Sequence, residues 1–201
     1  MTKSDDSRVD LVEEKTPYQG FSRIRVFHLR HRKHDGNWSD VIDREVFQRG
    51  DAAAVVLYDP AADAIVLLEQ FRVSAWVAGR DPWQRETVAG MIPPGGHPEE
   101  VARRECLEET GCEVGRLEPI AQYFSSPGTS PDRVWLYCGI VDSTAVGGVH
   151  GLASEGEDIK VAVVPFADAL AMADDGRIEN ATGIVALGWL ARNRDRLRRT
   201  V

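Results

Sequence analysis

From Phe21 to Arg32 apolar and polar residues alternate, with Ile24 and Val26 on one face and Phe27 and Leu29 on the other. A period of two predicts a strand. Asp35-Gly36 is a turn signal, and Val41 to Gln48 reads as the returning strand. A second, more apolar hairpin, Ala52 to Tyr58 and Ala64 to Gln70, closes around Asp59-Pro60. Ser74 to Pro82 reads as loop and Trp83 to Ala89 as one short strand. Leu117 to Phe124 and Arg133 to Val141 are strands joined by Ser125-Ser-Pro-Gly-Thr-Ser-Pro131, a rigid turn-forming stretch. Asp142 to Asp158 is a long, glycine-rich, acidic loop, and loops of that length are often functional. Ile159 to Val164 is a strand. Phe166 to Asp174 and Ala181 to Arg198 are helices, the second with Ile184, Leu187, Leu190 and Ala191 at core-facing spacing. Met1 to Thr16 is expected to be frayed or lightly ordered.

Between these strands lies a different pattern. Gly90 to Gly96 is rich in Gly and Pro, and Pro98 to Gly111 reads as a helix bounded by proline at its first position and glycine past its last. Glu99 and Glu100 fall in the first turn, where the helix dipole favours negative charge. At about 100° per residue, Glu105, Glu108 and Glu109 share one arc, flanked by Arg104. Ala102, Cys106 and Leu107 lie on the other side and are expected to face the core. Carboxylates crowded in this way repel one another. They form either a solvated acidic face or a site for a hard divalent cation, which takes oxygen ligands.

Composition narrows the choice. A chain of 201 residues with 43% hydrophobic content suits one domain with a small addition. The division expected is residues 1–50 as an N-terminal β-hairpin subdomain and residues 51–201 as the main domain. A net charge of −8 argues against nucleic-acid binding through a basic surface. Any anionic ligand must then be drawn by a local cation. Cys106, Cys112 and Cys138 show no metal or redox spacing and read as buried thiols of a reducing cytoplasm. Met1 to Glu14 has no apolar signal core, and no apolar run approaches the roughly 20 residues of a membrane span.

Gly90, Arg104, Glu105, Cys106, Glu108, Glu109, Gly111 and Cys112 fall in register with G-x5-E-x7-R-E-U-x-E-E-x-G-U, where U is apolar. The chain therefore resembles the Nudix hydrolases. One position departs: the first Glu of the pattern falls on Gly96, which removes a carboxylate near the cluster and a partner for Arg104. Glu99, Glu100 or His97 could partly replace it. The resemblance implies an α+β fold, the α/β/α Nudix sandwich with a mixed β-sheet, over about Ala52 to Arg198. A small N-terminal antiparallel β-sheet subdomain would precede it. Pro127, sixteen residues after Gly111, and the Ser125-Ser126-Pro127-Gly128 turn resemble the ADP-ribose pyrophosphatase branch. In that branch the N-terminal sheet exchanges between the subunits of a homodimer.

The same resemblance implies the site. Glu105, Glu109 and Glu108, with the carbonyl of Ala89, would hold Mg²⁺, with Mn²⁺ as the substitute, and Arg104 would orient the carboxylates. Glu86 could reach the same site or be an exposed strand residue. The general base would come from the later acidic loop, with Glu155 first and Glu157 as the second choice. Arg72, Arg44 and Glu45 would contact the substrate, as would Ser126 and Gly128, and Phe21 would either stack on adenine or simply pack on its strand. The expected reaction is Mg²⁺-dependent hydrolysis of the diphosphate of ADP-ribose to AMP and ribose 5-phosphate. The alternatives are another nucleoside diphosphate sugar, such as GDP-mannose, or a nucleotide-binding protein impaired in catalysis by Gly96. The small-molecule nucleotide sugar and a second copy of the chain are the only partners implied.

Overall fold

The computed structural model describes residues 6–199. They fall into two units: residues 6–50 with Phe124–Asp132, and Asp51–Tyr123 with residues 133–199.

The first unit is a three-stranded antiparallel sheet, β1 (Val9–Gln19), β2 (Arg23–His31) and β3 (Ile42–Gln48), in that spatial order. The expectation of a loose N-terminus is corrected from Val9 onward; its first five residues lie outside the described residues. β1 carries few buried apolar groups, so its apolar pattern is faint. Its backbone ladder to β2 holds it, with cross-strand ion pairs beside the ladder: Glu14 accepts from Arg25 at 2.6 Å and Asp10 from Arg30 at 2.8 Å. Arg25 and Arg30 of β2 thus have carboxylate partners on β1. Phe124–Asp132 joins this unit through backbone donors: the Phe47 N–H bonds the Thr129 carbonyl at 2.8 Å, and the Arg49 N–H bonds the Asp132 carboxylate at 2.7 Å.

The second unit is a mixed sheet with helices on both faces. Its strands are β4 (Ala52–Asp59), β5 (Ala64–Phe71), β6 (Trp83–Glu86), β7 (Val88–Met91), β8 (Leu117–Phe124), β9 (Arg133–Ile140), β10 (Gly148–His150) and β11 (Ile159–Pro165). The order is β10-β11-β5-β4-β9-β8, with β6 on β5 and β7 on β4, and β4 runs parallel to β9. β4 is buried from Ala53 to Asp59 because both of its faces are covered. Ala53, Val55 and Leu57 pack in the same cluster as Val101, Ala102 and Cys106 of α2 (Pro98–Thr110). Ala54, Val56 and Tyr58 share the opposite cluster with α3 (Phe166–Asp174) and α4 (Ala181–Arg198), through Phe166, Ala169, Leu187 and Leu190. Each fully buried Leu contributes about 2 kcal/mol. These two layers over one sheet are the α/β/α sandwich expected.

Where the sheet forks, it makes room for the site. β4 pairs with β5 only at Leu57–Asp59, whereas Ala52–Val55 pair with β7 and Leu68–Phe71 pair with β6. The single strand expected over Trp83–Ala89 is therefore two strands, separated at buried Thr87. β7 leads straight into the Pro93–Gly96 turn and α2.

Three smaller expectations are corrected. Ser74 to Pro82 is not all loop, because Val73–Val77 form a single helical turn, α1. The acidic loop contains β10 and a 3-10 turn at Ala153–Glu155. Leu107 does not face the core: it is 53% exposed while Cys106 is 0%. One residue turns the helix by about 100°, which carries Leu107 off the sheet-facing stripe.

Candidate active site

α2 takes its start from Pro98 and its stop from Gly111, whose φ of 71° is the left-handed cap that glycine adopts without strain. Both boundaries agree with the sequence. The helix presents Glu105, Glu108 and Glu109 from one side. Arg104 lies between the first two, bonding Glu105 at 2.6 Å and Glu108 at 2.7 Å.

Glu109 is only 2% exposed, and its carboxylate accepts the Ala89 N–H at 3.1 Å. Burial is the main reason its carboxyl is pushed up to about 8. The charges of Glu105 and Glu157 push the same way, against the Ala89 hydrogen bond and Arg72. Burial, with Glu108 and Glu157, also raises Glu105 in spite of Arg104. Like charges have thus been gathered where water is scarce.

Gly90 explains its own place in the motif. A Cβ there would collide with the Glu105 side chain, so glycine lets β7 pass beneath it with the carboxylate where it stands. Gly96 closes a turn, its N–H bonding the Pro93 carbonyl at 2.8 Å, and an added Cβ would stand 2.9 Å from Pro93 Cγ. The departure from the motif at Gly96 is therefore coupled to the proline three residues earlier.

Arg72 donates to Glu86 through Nε at 3.0 Å and through a terminal nitrogen at 2.6 Å, and Gln70 donates to the same oxygen at 3.4 Å. Glu86 is thus a half-buried partner of Arg72 rather than an idle strand residue. The sequence did not single out Gln70. Its signal is an amide, 6% exposed, near the end of a strand that is apolar from Ala64 to Leu68. Of the two base candidates on the loop, Glu157 is half-buried and its charge bears on Glu105 and Glu109, while Glu155 is exposed on the 3-10 turn.

Phe21, Arg44, Glu45, Ser126 and Gly128 belong to the first unit. Phe21 is 82% exposed, with the Arg49 guanidinium 5.6 Å from its ring centre, so it is not packed into its sheet. Ser126 and Thr129 share a 3.0 Å hydroxyl contact that shapes the turn. The three cysteines are buried and free, and burial pushes the Cys106 thiol up. Among the described residues no helix is long and apolar enough to cross a membrane.

Among the described residues, no three His, Cys, Asp or Glu side chains stand in a metal-holding arrangement. Arg104 draws Glu105 and Glu108 to itself, and Ala89 holds Glu109. The donor chemistry nonetheless fits a hard divalent cation. Every candidate ligand is an oxygen, and buried Glu109 forms no ion pair among the described residues.

The fold and site together describe an α/β/α sandwich whose mixed sheet carries a glycine-capped helix with three carboxylates on one side. The description "NUDIX domain" matches residues 48–184. The ADP-ribose pyrophosphatase of Escherichia coli strain K12 is 42% identical over 182 residues, covering 90% of this chain and 87% of that protein. The GDP-mannose pyrophosphatase of Pectobacterium atrosepticum is 35% identical over 199 residues, covering 92% and 98%. A solved structure titled "Crystal structure of ADP compounds hydrolase" superposes with a TM-score of 0.71 at 17% identity, over 95% of this chain and 97% of that one, a likeness of fold. The chain belongs to the Nudix family of hydrolases.

Proposed function

We propose that the chain hydrolyses the diphosphate of ADP-ribose to AMP and ribose 5-phosphate with Mg²⁺, or Mn²⁺ in its place. The observation that carries this reading is the carboxylate group of α2, with Glu109 buried among like charges. The 42% identity to a protein named for that reaction supports the choice of substrate.

Glu105, Glu108, Glu109 and the Ala89 carbonyl would hold the metal. A bound divalent cation neutralises diphosphate oxygens and makes water a better nucleophile near neutral pH. Arg104 orients Glu105 and Glu108, and must loosen its hold on them for their oxygens to turn inward. Arg72, kept in place by Glu86, offers its remaining N–H groups to the diphosphate; guanidinium suits paired phosphate oxygens. Glu155 takes the proton of the attacking water after its loop closes. Glu157, whose charge bears on Glu105 and Glu109, is the alternative base. Phe21, Arg44, Glu45, Ser126 and Gly128 complete the proposed substrate contacts. The division of the chain at residues 50/51, a homodimer and a cytoplasmic location belong to the same reading.

AMP release from ADP-ribose, followed by a phosphate-coupled assay over a range of Mg²⁺, tests this. Glu109→Gln and Glu155→Gln should each lose at least 100-fold in kcat; wild-type rates in both would overturn the assignment. If Glu157→Gln fails and Glu155→Gln does not, the base is Glu157. A second reading, cleavage of GDP-mannose, is favoured by the 35% identity over 92% of the chain. It predicts a higher kcat/KM for that substrate in the same panel. Tight nucleotide binding without turnover at high Mg²⁺ would favour an impaired binding protein instead.

A further inference from the structure

We propose that His150 is a positioning residue that fixes the root of the acidic loop against the C-terminus of α2. The proposal rests on the hydrolase reading of that loop.

His150 is the last residue of β10, paired with Ile159 at the start of β11. Its Nε2 stands 2.9 Å from the Gly147 carbonyl, so that nitrogen carries a hydrogen and donates it. The Cε1 edge of the ring lies over Gly111, where an added Cβ would be 3.2 Å away. Gly111 therefore does two things: it takes the left-handed cap of α2, and it leaves room for this imidazole. The backbone around the ring turns through three glycines, Gly147, Gly148 and Gly151, all at positive φ. β10 has only three paired residues to hold it.

Beyond His150 the loop closes on itself. The Leu152 N–H donates to the Glu157 carboxylate at 2.9 Å, and the Glu155 N–H to the Leu152 carbonyl at 2.9 Å. Residues 151–157 thus behave as one small body whose orientation depends on its root. The ring, seated between Gly147 and Gly111, sets that root, and so sets where both loop acids stand relative to Glu105 and Glu109.

The test compares His150→Ala and His150→Gln with the wild type by steady-state kinetics on ADP-ribose and by amide hydrogen exchange. His150→Ala should lower kcat at least tenfold while KM changes less than threefold. Exchange should speed at least tenfold at residues 152–157 and stay unchanged in β4 and α4. His150→Gln, whose amide can still donate to Gly147, should recover part of the kcat and of the protection. Unchanged loop exchange in the Ala variant overturns the proposal, whatever happens to the rate. If exchange speeds throughout the molecule, the Ala variant is unfolding; the Gln variant then decides, and wild-type loop exchange together with lost kcat overturns the proposal. Should the wild-type protein cleave no diphosphate at all, the functional reading fails, while the exchange comparison still decides the brace.

Discussion

Glu109 is where stability and function pull apart. Its folded-state carboxyl titrates at about 8, against an ordinary value near 4.5, chiefly because it is buried. Between those values the unfolded chain has lost the proton and the folded chain still holds it, so stability falls as pH rises from about 4.5 to 8 and then levels. Gln at this position has no charge to desolvate. We expect Glu109→Gln to abolish turnover yet melt at or above the wild-type temperature, by a margin that grows between pH 5 and 8; thermal melts across that range would check it. A cation bound there must displace the proton, so the Mg²⁺ concentration for half-maximal rate should fall as pH rises towards 8. Two glycines give further tests. Gly90→Ala forces the Glu105 carboxylate away and should cost at least tenfold in kcat, as assayed by AMP release. Gly96→Glu alone crowds Pro93 and should lose about 1 kcal/mol in denaturant unfolding. Paired with Pro93→Ala it should recover stability and bind Mg²⁺ more tightly than the wild type.

At the scale of elements, the sequence announced those that bury an apolar stripe or obey a boundary rule. α2 runs from Pro98 to Thr110 with Gly111 as its cap, as the proline and glycine indicated, and Leu117–Phe124, Phe166–Asp174 and Ala181–Arg198 also agree. What stayed hidden is held by partners distant in sequence. β1 shows as polar residues until Arg25 and Arg30 are seen to pair with Glu14 and Asp10. The fork at Val55/Val56 depends on which strand each half of β4 meets, which periodicity cannot express. In the site, the carboxylates, Arg104 and Arg72 were legible from spacing and resemblance, but the Glu86–Arg72 pair and the burial of Glu109 needed the fold. One long-range pair also ties α4 to the β4–β5 turn. Arg194 donates twice to Asp63 at 2.6 Å, and the Tyr58 hydroxyl adds a third bond. Burial opposes ionisation of Asp63, but these donors outweigh it and hold the carboxyl below its ordinary range. That stability is present above the unfolded carboxylate range and is lost as pH falls through the lowered folded value. Asp63→Asn should cost about 1–2 kcal/mol at pH 7 and progressively less below pH 4, read from denaturant midpoints.

At the scale of the whole molecule, two units divide the chain unevenly, and the second holds both apolar cores and every motif residue from Gly90 to Cys112. The arrangement gathers three carboxylates on one side of α2, with Glu109 buried, a cost in stability that makes sense if a cation is to be held there. The account therefore turns on whether the α2 carboxylates bind a divalent metal. Mn²⁺ titration followed by electron paramagnetic resonance, with a non-cleavable ADP-ribose analogue present, measures this without relying on turnover. The expected result is at least tenfold weaker Mn²⁺ binding in both Glu105→Gln and Glu109→Gln than in the wild type. Equal affinity in all three proteins would contradict the account.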